Sequence, residues 1–228
     1  MHDFFHKNAA FAILLAAFYT LFSIWTLGTR LFSAFAGNMA ISGSFVKVGS
    51  ILSACLFSLI PCILFWFGAR NCTANAKTAM YAASTAKLMA LIAYCTSTLD
   101  ADGNQLLPLI FCLSLGSAIL EVLAFILIAV TLRKSRLEAG VSWVAALLSA
   151  AHHAIYLIEL YASMQLLGNG YVGKWLPLLA SASTAEFFAS IIKGAVCALV
   201  FLLIYEACKK PKQSPTLKEG SSDEAMDR

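Results

Sequence analysis

The residues best suited to chemistry in this sequence are ionisable side chains that fall inside long apolar segments. They are Lys87, Glu121, His152, His153 and Lys193. A charge near the centre of a bilayer costs about 2.5–3.5 kcal/mol on insertion scales, so such residues usually face a partner or a cavity. Histidine adds the ability to exchange protons, because its ordinary pKa is about 6.5. These side chains therefore predict a site that binds a polar solute or passes protons.

The segments that carry these residues have the length and composition of membrane-spanning helices. The chain has 228 residues, of which 60% are apolar and 12% charged, against roughly 45–50% and 25% in a soluble domain. Apolar runs of about 20 residues are long enough to cross a bilayer. Six spans are predicted, over residues 8–27, 45–67, 78–98, 107–131, 141–165 and 184–205. We therefore expect an all-α polytopic membrane protein, with a six-transmembrane-helix bundle over 1–208 and a disordered cytoplasmic tail over 209–228.

The distribution of basic residues predicts the orientation of these spans. Eleven Lys and Arg residues lie in the N-terminal segment, the 69–77 and 132–140 loops and the tail, and three lie in the other loops. Positive charge is enriched on the cytoplasmic side, so both termini are predicted to be cytoplasmic. The short loops favour a multi-pass protein of the cell membrane, and a bacterial cytoplasmic membrane in particular.

Composition also argues against several other classes of protein. The net charge of +4 is not arranged as a basic stripe with aromatic residues, so no nucleic-acid partner is expected. The seven cysteines include no CxxC pair, which gives a disulfide framework or a thioredoxin-like site little support. We expect no cofactor and no metal, because the histidine and acid spacing of the fifth span is not that of a zinc protease.

Local motifs predict where several helices begin. Residues 135–138 (Ser-Arg-Leu-Glu) and 183–186 (Ser-Thr-Ala-Glu) both match the capping box, in which Ser is the N-cap and Glu reaches back. Pro108 suits the first turn of the fourth span. Pro61 lies inside the second span and is expected to kink it.

Helical spacing arranges the polar residues of the last four spans as one stripe on each helix. Residues three, four or seven apart share a helix face, and the stripes are expected to face the bundle interior. The residues predicted to form a ligand or proton pathway are Lys87, Glu121, His152, Tyr156, Glu159 and Lys193. His153 lies beside its stripe, and Glu186 is interpreted as the acid of the second capping box.

Depth in the bilayer predicts which of these residues meet. At about 1.5 Å per residue, Lys87 lies about 17 Å and Glu121 about 21 Å from the outer ends of their spans. Since their spans are consecutive and antiparallel, a pair between them is expected. Lys193 is expected to reach Glu159, which leaves zero net buried charge if the histidines are neutral. Such pairing is usual for buried charges, so a structural role and a functional role both remain open.

Three functions agree with this pattern. The first is small-solute or proton-linked transport, or ligand binding, through a polar bundle centre. The second is a non-catalytic assembly or sensory component, which has a membrane-protein partner or forms a homo-oligomer within the lipid bilayer. For the first function, a protein of this size could also be the substrate-binding subunit of a larger transporter, and Ala12 and Ala16 of the first span would suit docking onto such a partner. The third is an intramembrane lipid-modifying enzyme with a histidine base, but no GxSxG or zinc motif marks it, and no catalytic residues are assigned. A non-enzyme is favoured.

Overall fold

The chain is helical throughout the part that the structure describes. This computed structural model describes residues 9–35, 53, 55–99, 106–169 and 172–209. Within these residues there are six α-helices and no β-strand: α1 (Ala10–Phe35), α2 (Ile60–Ala69), α3 (Ala74–Leu99), α4 (Leu107–Thr131), α5 (Arg136–Asn169) and α6 (Val172–Lys209). A π-helix over Cys55–Leu59 precedes α2. The all-α prediction is confirmed.

Four of the helices have segments long and apolar enough to cross a membrane. These segments are Ala10–Thr29, Leu107–Thr131, Arg136–Gln165 and Trp175–Lys209. Many of their large apolar side chains point outward, among them Leu21, Ile119 and Leu147, which are 62%, 59% and 69% exposed. Extensive apolar surface is unfavourable in water and favourable in hydrocarbon. By length and composition, these helices are compatible with an integral membrane protein.

The two remaining predicted spans differ from these four. The second, 45–67, lies partly outside the described residues, and its described part is an apolar helical stretch of only Leu56–Ala69. The third, 78–98, lies within α3, which is long but more polar than the four apolar segments. The number of spans and the orientation of the termini therefore stay predictions. Residues 1–8, and all of the predicted tail except Lys209, lie outside the described residues.

The predicted helix starts were right in two places and wrong in a third. Pro108 is in the first turn of α4. The helix α5 begins at Arg136, directly after Ser135, but the Ser135 N–H, which a capping box would pair with Glu138, donates to the Leu132 carbonyl at 2.8 Å. The capping box at 183–186 was wrong, because α6 runs through it from Val172. The Thr184 hydroxyl donates to the Ala180 carbonyl one turn back, at 3.0 Å. A capping motif inside a continuous helix has no free backbone N–H groups to satisfy, which leaves Glu186 available for another contact.

Pro61 was expected to kink its helix, and the structure has a π-helical turn directly before the helix that contains it. It lies in the first turn of α2, immediately after the π-helix. Proline cannot donate a backbone hydrogen bond to the preceding turn, and a π-helical turn is one way for the chain to accommodate that gap.

The six helices pack as a closed ring. Each of α2 to α6 contacts the next helix along the chain where one follows, and α1 closes the ring against α6 and α2. Ala12 and Ala16 of α1 are buried within this bundle, at 0% and 2% exposed. The interpretation of these two alanines as a docking face for a partner was therefore wrong, since their own chain covers them.

The interior of the ring has an apolar core with several aromatic rings on one side of the ionisable residues. Tyr19 and Phe65 both contact Phe201, with ring centroids 5.9 and 5.8 Å apart. Phe125 is buried with them in this core. Buried serines lie on both sides of the ionisable residues: Ser114, Ser117 and Ser190 on the side away from the aromatic core, and Ser84, Ser142 and Ser149 on the same side as the core.

Orientation can be tested with single cysteines introduced on opposite sides. Asp102→Cys is expected to react with a membrane-impermeant maleimide in intact cells, because the loop that contains Asp102 is predicted to face outward. Lys134→Cys is expected to react only after the cells are opened. The wild-type protein, with its seven native cysteines, gives the background. Reaction of Lys134→Cys in intact cells would reverse the predicted orientation.

Close packing of α1 on α6 predicts a second result. A Cβ added at Gly194 would collide with Ser23 Oγ, whose hydroxyl also donates to the Ile191 carbonyl at 3.3 Å. Overpacking of this kind costs about 1–3 kcal/mol, so Gly194→Leu is expected to lower the melting temperature in detergent by several degrees. Gly28→Leu is the matched control, because nothing lies within 4 Å of a Cβ there. Equal losses in both variants would contradict the packing argument.

Candidate functional site

Glu121 is the centre of the candidate site. It lies midway along α4 and its side chain is 2% exposed. Its Oε2 atom accepts hydrogen bonds from Lys87 Nζ on α3, at 3.2 Å, and from His153 Nε2 on α5, at 3.0 Å. Its Oε1 atom is 3.0 Å from Lys193 Nζ on α6, an ion pair without hydrogen-bond geometry. Three helices therefore supply the partners that one buried carboxylate needs.

The two histidines point to different carboxylates. His153 contacts Glu121, and His152 Nε2 is 2.9 Å from Glu186 Oε1 on α6. Neighbouring residues on a helix point about 100° apart, so two consecutive histidines can serve two helices. Their rings stand edge to face with centroids 5.2 Å apart. The histidine pair therefore joins Glu121 on α4 to Glu186 on α6.

The partners of each imidazole also assign its tautomer. A carboxylate only accepts hydrogen bonds, so Nε2 carries the hydrogen in both rings. Lys193 Nζ lies 3.5 Å from His152 Nδ1, and an ammonium group only donates. His152 Nδ1 is therefore an acceptor and the ring is neutral. His153 has the same tautomer, and its Nδ1 is likewise an acceptor when the ring is neutral.

The formal charges of the cluster balance, although one partner differs from the prediction. Lys87 and Lys193 carry the positive charges, and Glu121 and Glu186 the negative charges. The depth count paired Lys193 with Glu159, whereas the structure places its ammonium group at Glu121. Zero net charge with neutral histidines is what a desolvated cluster requires.

Lys87, Glu121, His152 and Lys193, four of the six predicted pathway residues, meet in this cluster. The expected contact of Lys87 with Glu121 is present. The other two, Tyr156 and Glu159, lie farther along α5. Tyr156 is one turn beyond His152 and interacts with Ser114 of α4, and Glu159 is about 10 Å beyond His152 along the helix.

Two members of the cluster were missing from the predicted pathway. Glu186 shares the polar face of α6 with Lys193, two turns later, but it was interpreted as a capping acid because of the motif at 183–186. The shared face was the signal that favours Glu186 as a member of the cluster. His153 was predicted to lie beside the polar stripe of α5. It contacts Glu121 because α4 packs against that side of α5.

Serine hydroxyls fix the helices around the charged residues. Ser117 Oγ donates to the Ala86 carbonyl at 2.9 Å and so joins α4 to α3 one residue before Lys87. Ser84 Oγ donates to the Cys62 carbonyl at 2.9 Å and joins α3 to α2. Such interhelical bonds average about 0.6 kcal/mol in measured membrane proteins. Their main effect here is to set the register in which Lys87 meets Glu121.

Comparison with known proteins and with metal-binding patterns adds no assignment. Comparison with protein-family models, curated proteins and solved structures finds no match. Among the described residues, no group of three or more His, Cys, Asp or Glu side chains is placed to hold a metal ion.

The central position of Glu121 predicts the effect of its removal. Glu121→Gln leaves two ammonium groups without their shared counter-charge, and breaking a buried ion pair costs about 3–5 kcal/mol. We expect a large fall in the melting temperature of the detergent-purified protein. Adding Lys193→Met restores the charge balance and is expected to recover part of the loss.

The matched control is Glu206→Gln, which changes an exposed acid near the end of α6. Surface substitutions usually change stability by less than about 0.5 kcal/mol, so its melting temperature is expected to stay near that of the wild type. A Glu121→Gln protein as stable as this control would show that the cluster does not hold the helices together.

Proposed function

We propose that this integral membrane protein couples proton movement through the bundle centre to the binding or transport of a small solute. The observation that carries the proposal is a row of acid and imidazole groups, Glu121–His153–His152–Glu186. Two of its three steps are contacts of 2.9–3.0 Å. The third is the gap between the histidine rings, whose centroids are 5.2 Å apart. Ring rotation or one bridging water can close a gap of this size.

The two ends of the row differ in their access to the surroundings. The Glu121 side chain is 2% exposed, and the Glu186 side chain is 26% exposed. A proton can thus enter or leave at Glu186 and reach a carboxylate that is otherwise enclosed. Histidine suits the intermediate positions, because either nitrogen can take up a proton while the other releases one.

The charge of Glu121 also controls the attraction between helices. The ionised carboxylate draws Lys87 of α3 and Lys193 of α6 toward α4. A proton on Glu121 removes this attraction and leaves two ammonium groups close together without their shared counter-charge. The two resulting states differ in charge and in helix packing, as a proton-driven conformational change requires.

The aromatic core supports a one-sided pathway for protons. Tyr19, Phe125 and Phe201 pack together on one side of the cluster, whereas Glu186, which is 26% exposed, lies on the other. Water could approach Glu186 and would meet the aromatic residues as a barrier. Under the predicted orientation, the Glu186 side faces outward.

A structural role in membrane assembly is the second candidate. The zero net charge of the cluster favours it, because a static network would be balanced in the same way. The enzyme hypothesis has less support, since each imidazole Nε2 is held by a carboxylate rather than by a hydroxyl nucleophile. Measurement of proton movement separates the first two candidates.

The test uses the purified protein in liposomes that contain a pH-sensitive dye. An imposed membrane potential is expected to drive proton uptake by the wild-type protein. His153→Gln interrupts the row, and we expect it to reduce uptake at least about tenfold, within the usual range for loss of a proton-transfer group. Glu206→Gln is the control and is expected to behave as the wild type does.

A second measurement is needed because a tightly coupled transporter moves protons only together with its solute and would show no uptake in the first assay. Spin labels on α3 and α6 are expected to report a greater separation as the pH is lowered, because a proton on Glu121 removes the attraction that draws these helices toward α4. If wild-type uptake equals that of empty liposomes and the helix separation is independent of pH, the proton-coupled function is wrong. The assembly role would then stand.

A further inference from the structure

An open groove runs between α4 and α5 and has His153 in its lining. Its volume is about 410 Å³, and its other lining residues are apolar, among them Ala118, Val122, Ala150 and Ala154. Ligand sites in proteins commonly have volumes of about 300–1,000 Å³ and an apolar lining with few polar groups. The groove has the size and the chemistry of such a site.

The surroundings of the groove indicate where its ligand comes from. Both α4 and α5 contain segments that can cross a membrane, and the groove lies in the central part of each helix. Ile119 and Leu123 line it and are 59% and 43% exposed. An apolar groove on the outer face of membrane-spanning helices opens to hydrocarbon. Its ligand therefore enters from the bilayer and has an apolar chain.

His153 determines which polar group a ligand in the groove needs. Its Nε2–H donates to Glu121, so Nδ1 of the neutral ring is a hydrogen-bond acceptor. An acceptor in an apolar groove is matched by a ligand with an O–H donor. The ring is also surrounded by charged and titratable groups: Glu121 on α4, Lys87 on α3, Lys193 on α6 and the neutral His152 on its own helix.

We propose that the groove binds a long-chain carboxylic acid, which enters from the bilayer in its protonated form. The acid places its chain along the groove and donates its O–H to Nδ1 of His153. A carboxylic acid is a far stronger acid than an alcohol, so it can give this proton to the ring, and the nearby ammonium groups of Lys87 and Lys193 favour the carboxylate that results. An alcohol of the same length would bind without giving up its proton.

The proton and charge balance of this step are complete within the site. The O–H bond of the acid breaks and an N–H bond forms at Nδ1, leaving a carboxylate and an imidazolium. The imidazolium can pass its Nε2 proton to Glu121, which returns His153 to a neutral ring. The ligand carboxylate then replaces the charge lost at Glu121, so the two lysines keep one counter-charge between them. The inference thus names the substrate class of the proposed function and rests on it.

The test is photolabelling of the full-length protein in detergent with hexadecanoic acid that bears a diazirine near the end of its chain. Mass spectrometry of the digested protein is expected to place the label on groove residues of α4 and α5. Excess unlabelled hexadecanoic acid should displace it, and hexadecanol should displace it less well. This measurement does not depend on transport.

Two alanines about one turn apart on α5 give a matched pair of variants. Ala154→Phe fills the groove and is expected to reduce labelling at least about tenfold, equivalent to about 1.4 kcal/mol in binding. Ala151→Phe adds the same side chain at an exposed position that does not line the groove, and it is expected to label as the wild type does. Ala150→Phe is a second groove variant for use if Ala154→Phe does not fold.

The outcomes separate this inference from the function on which it rests. Labelling that is unaffected by all three variants, or that is not displaced by excess acid, overturns the inference. Proton uptake in liposomes without specific labelling also overturns it and leaves the proposed function in place. Specific labelling without proton uptake or a pH-dependent change in helix separation supports the binding site and rejects the proton-coupled function.

Discussion

The burial of one carboxylate governs much of this structure. Glu121 is 2% exposed in the middle of the bundle, and an ionised carboxylate in such a place must be compensated by charges and hydrogen bonds. Lys87, Lys193 and His153 supply them from three helices. The positions of α3, α5 and α6 around α4 are therefore linked to the charge of a single residue, which makes that residue both a stabilising centre and a possible switch.

The consequences of this constraint extend beyond the contacts of Glu121. Lys193 of α6 pairs with Glu121 and also contacts His152 of α5. His152 in turn contacts Glu186, which lies on the same face of α6 as Lys193. A structural requirement for charge balance thus creates a connected series of titratable groups. The aromatic residues on one side and the partly exposed Glu186 on the other give this series a direction. The groove beside His153 gives it a separate route to the bilayer.

Much of the fold and part of the site were predictable from local patterns. Apolar run length identified four segments that the structure also has, because hydrophobicity and helix rise are properties of the sequence itself. The Lys87–Glu121 contact followed from depth, since their helices are consecutive and antiparallel. Depth was insufficient for Lys193, because several acids lie within reach of a long side chain. The motif at 183–186 was misleading, because a capping pattern does not reveal whether the chain actually ends its helix there.

The sequence by itself determined that this chain is helical and apolar, and that lysines, acids and histidines share defined faces of its helices. Periodicity fixes those faces, and length fixes their depth. Only the tertiary structure decided which faces meet. It assigned Glu121 rather than Glu159 to Lys193, gave His152 and His153 separate carboxylates, and turned Glu186 inward. The physical reason is that a helix pattern contains no information about its rotation against neighbours, which is set by close packing of small residues and by the need of buried charges for partners.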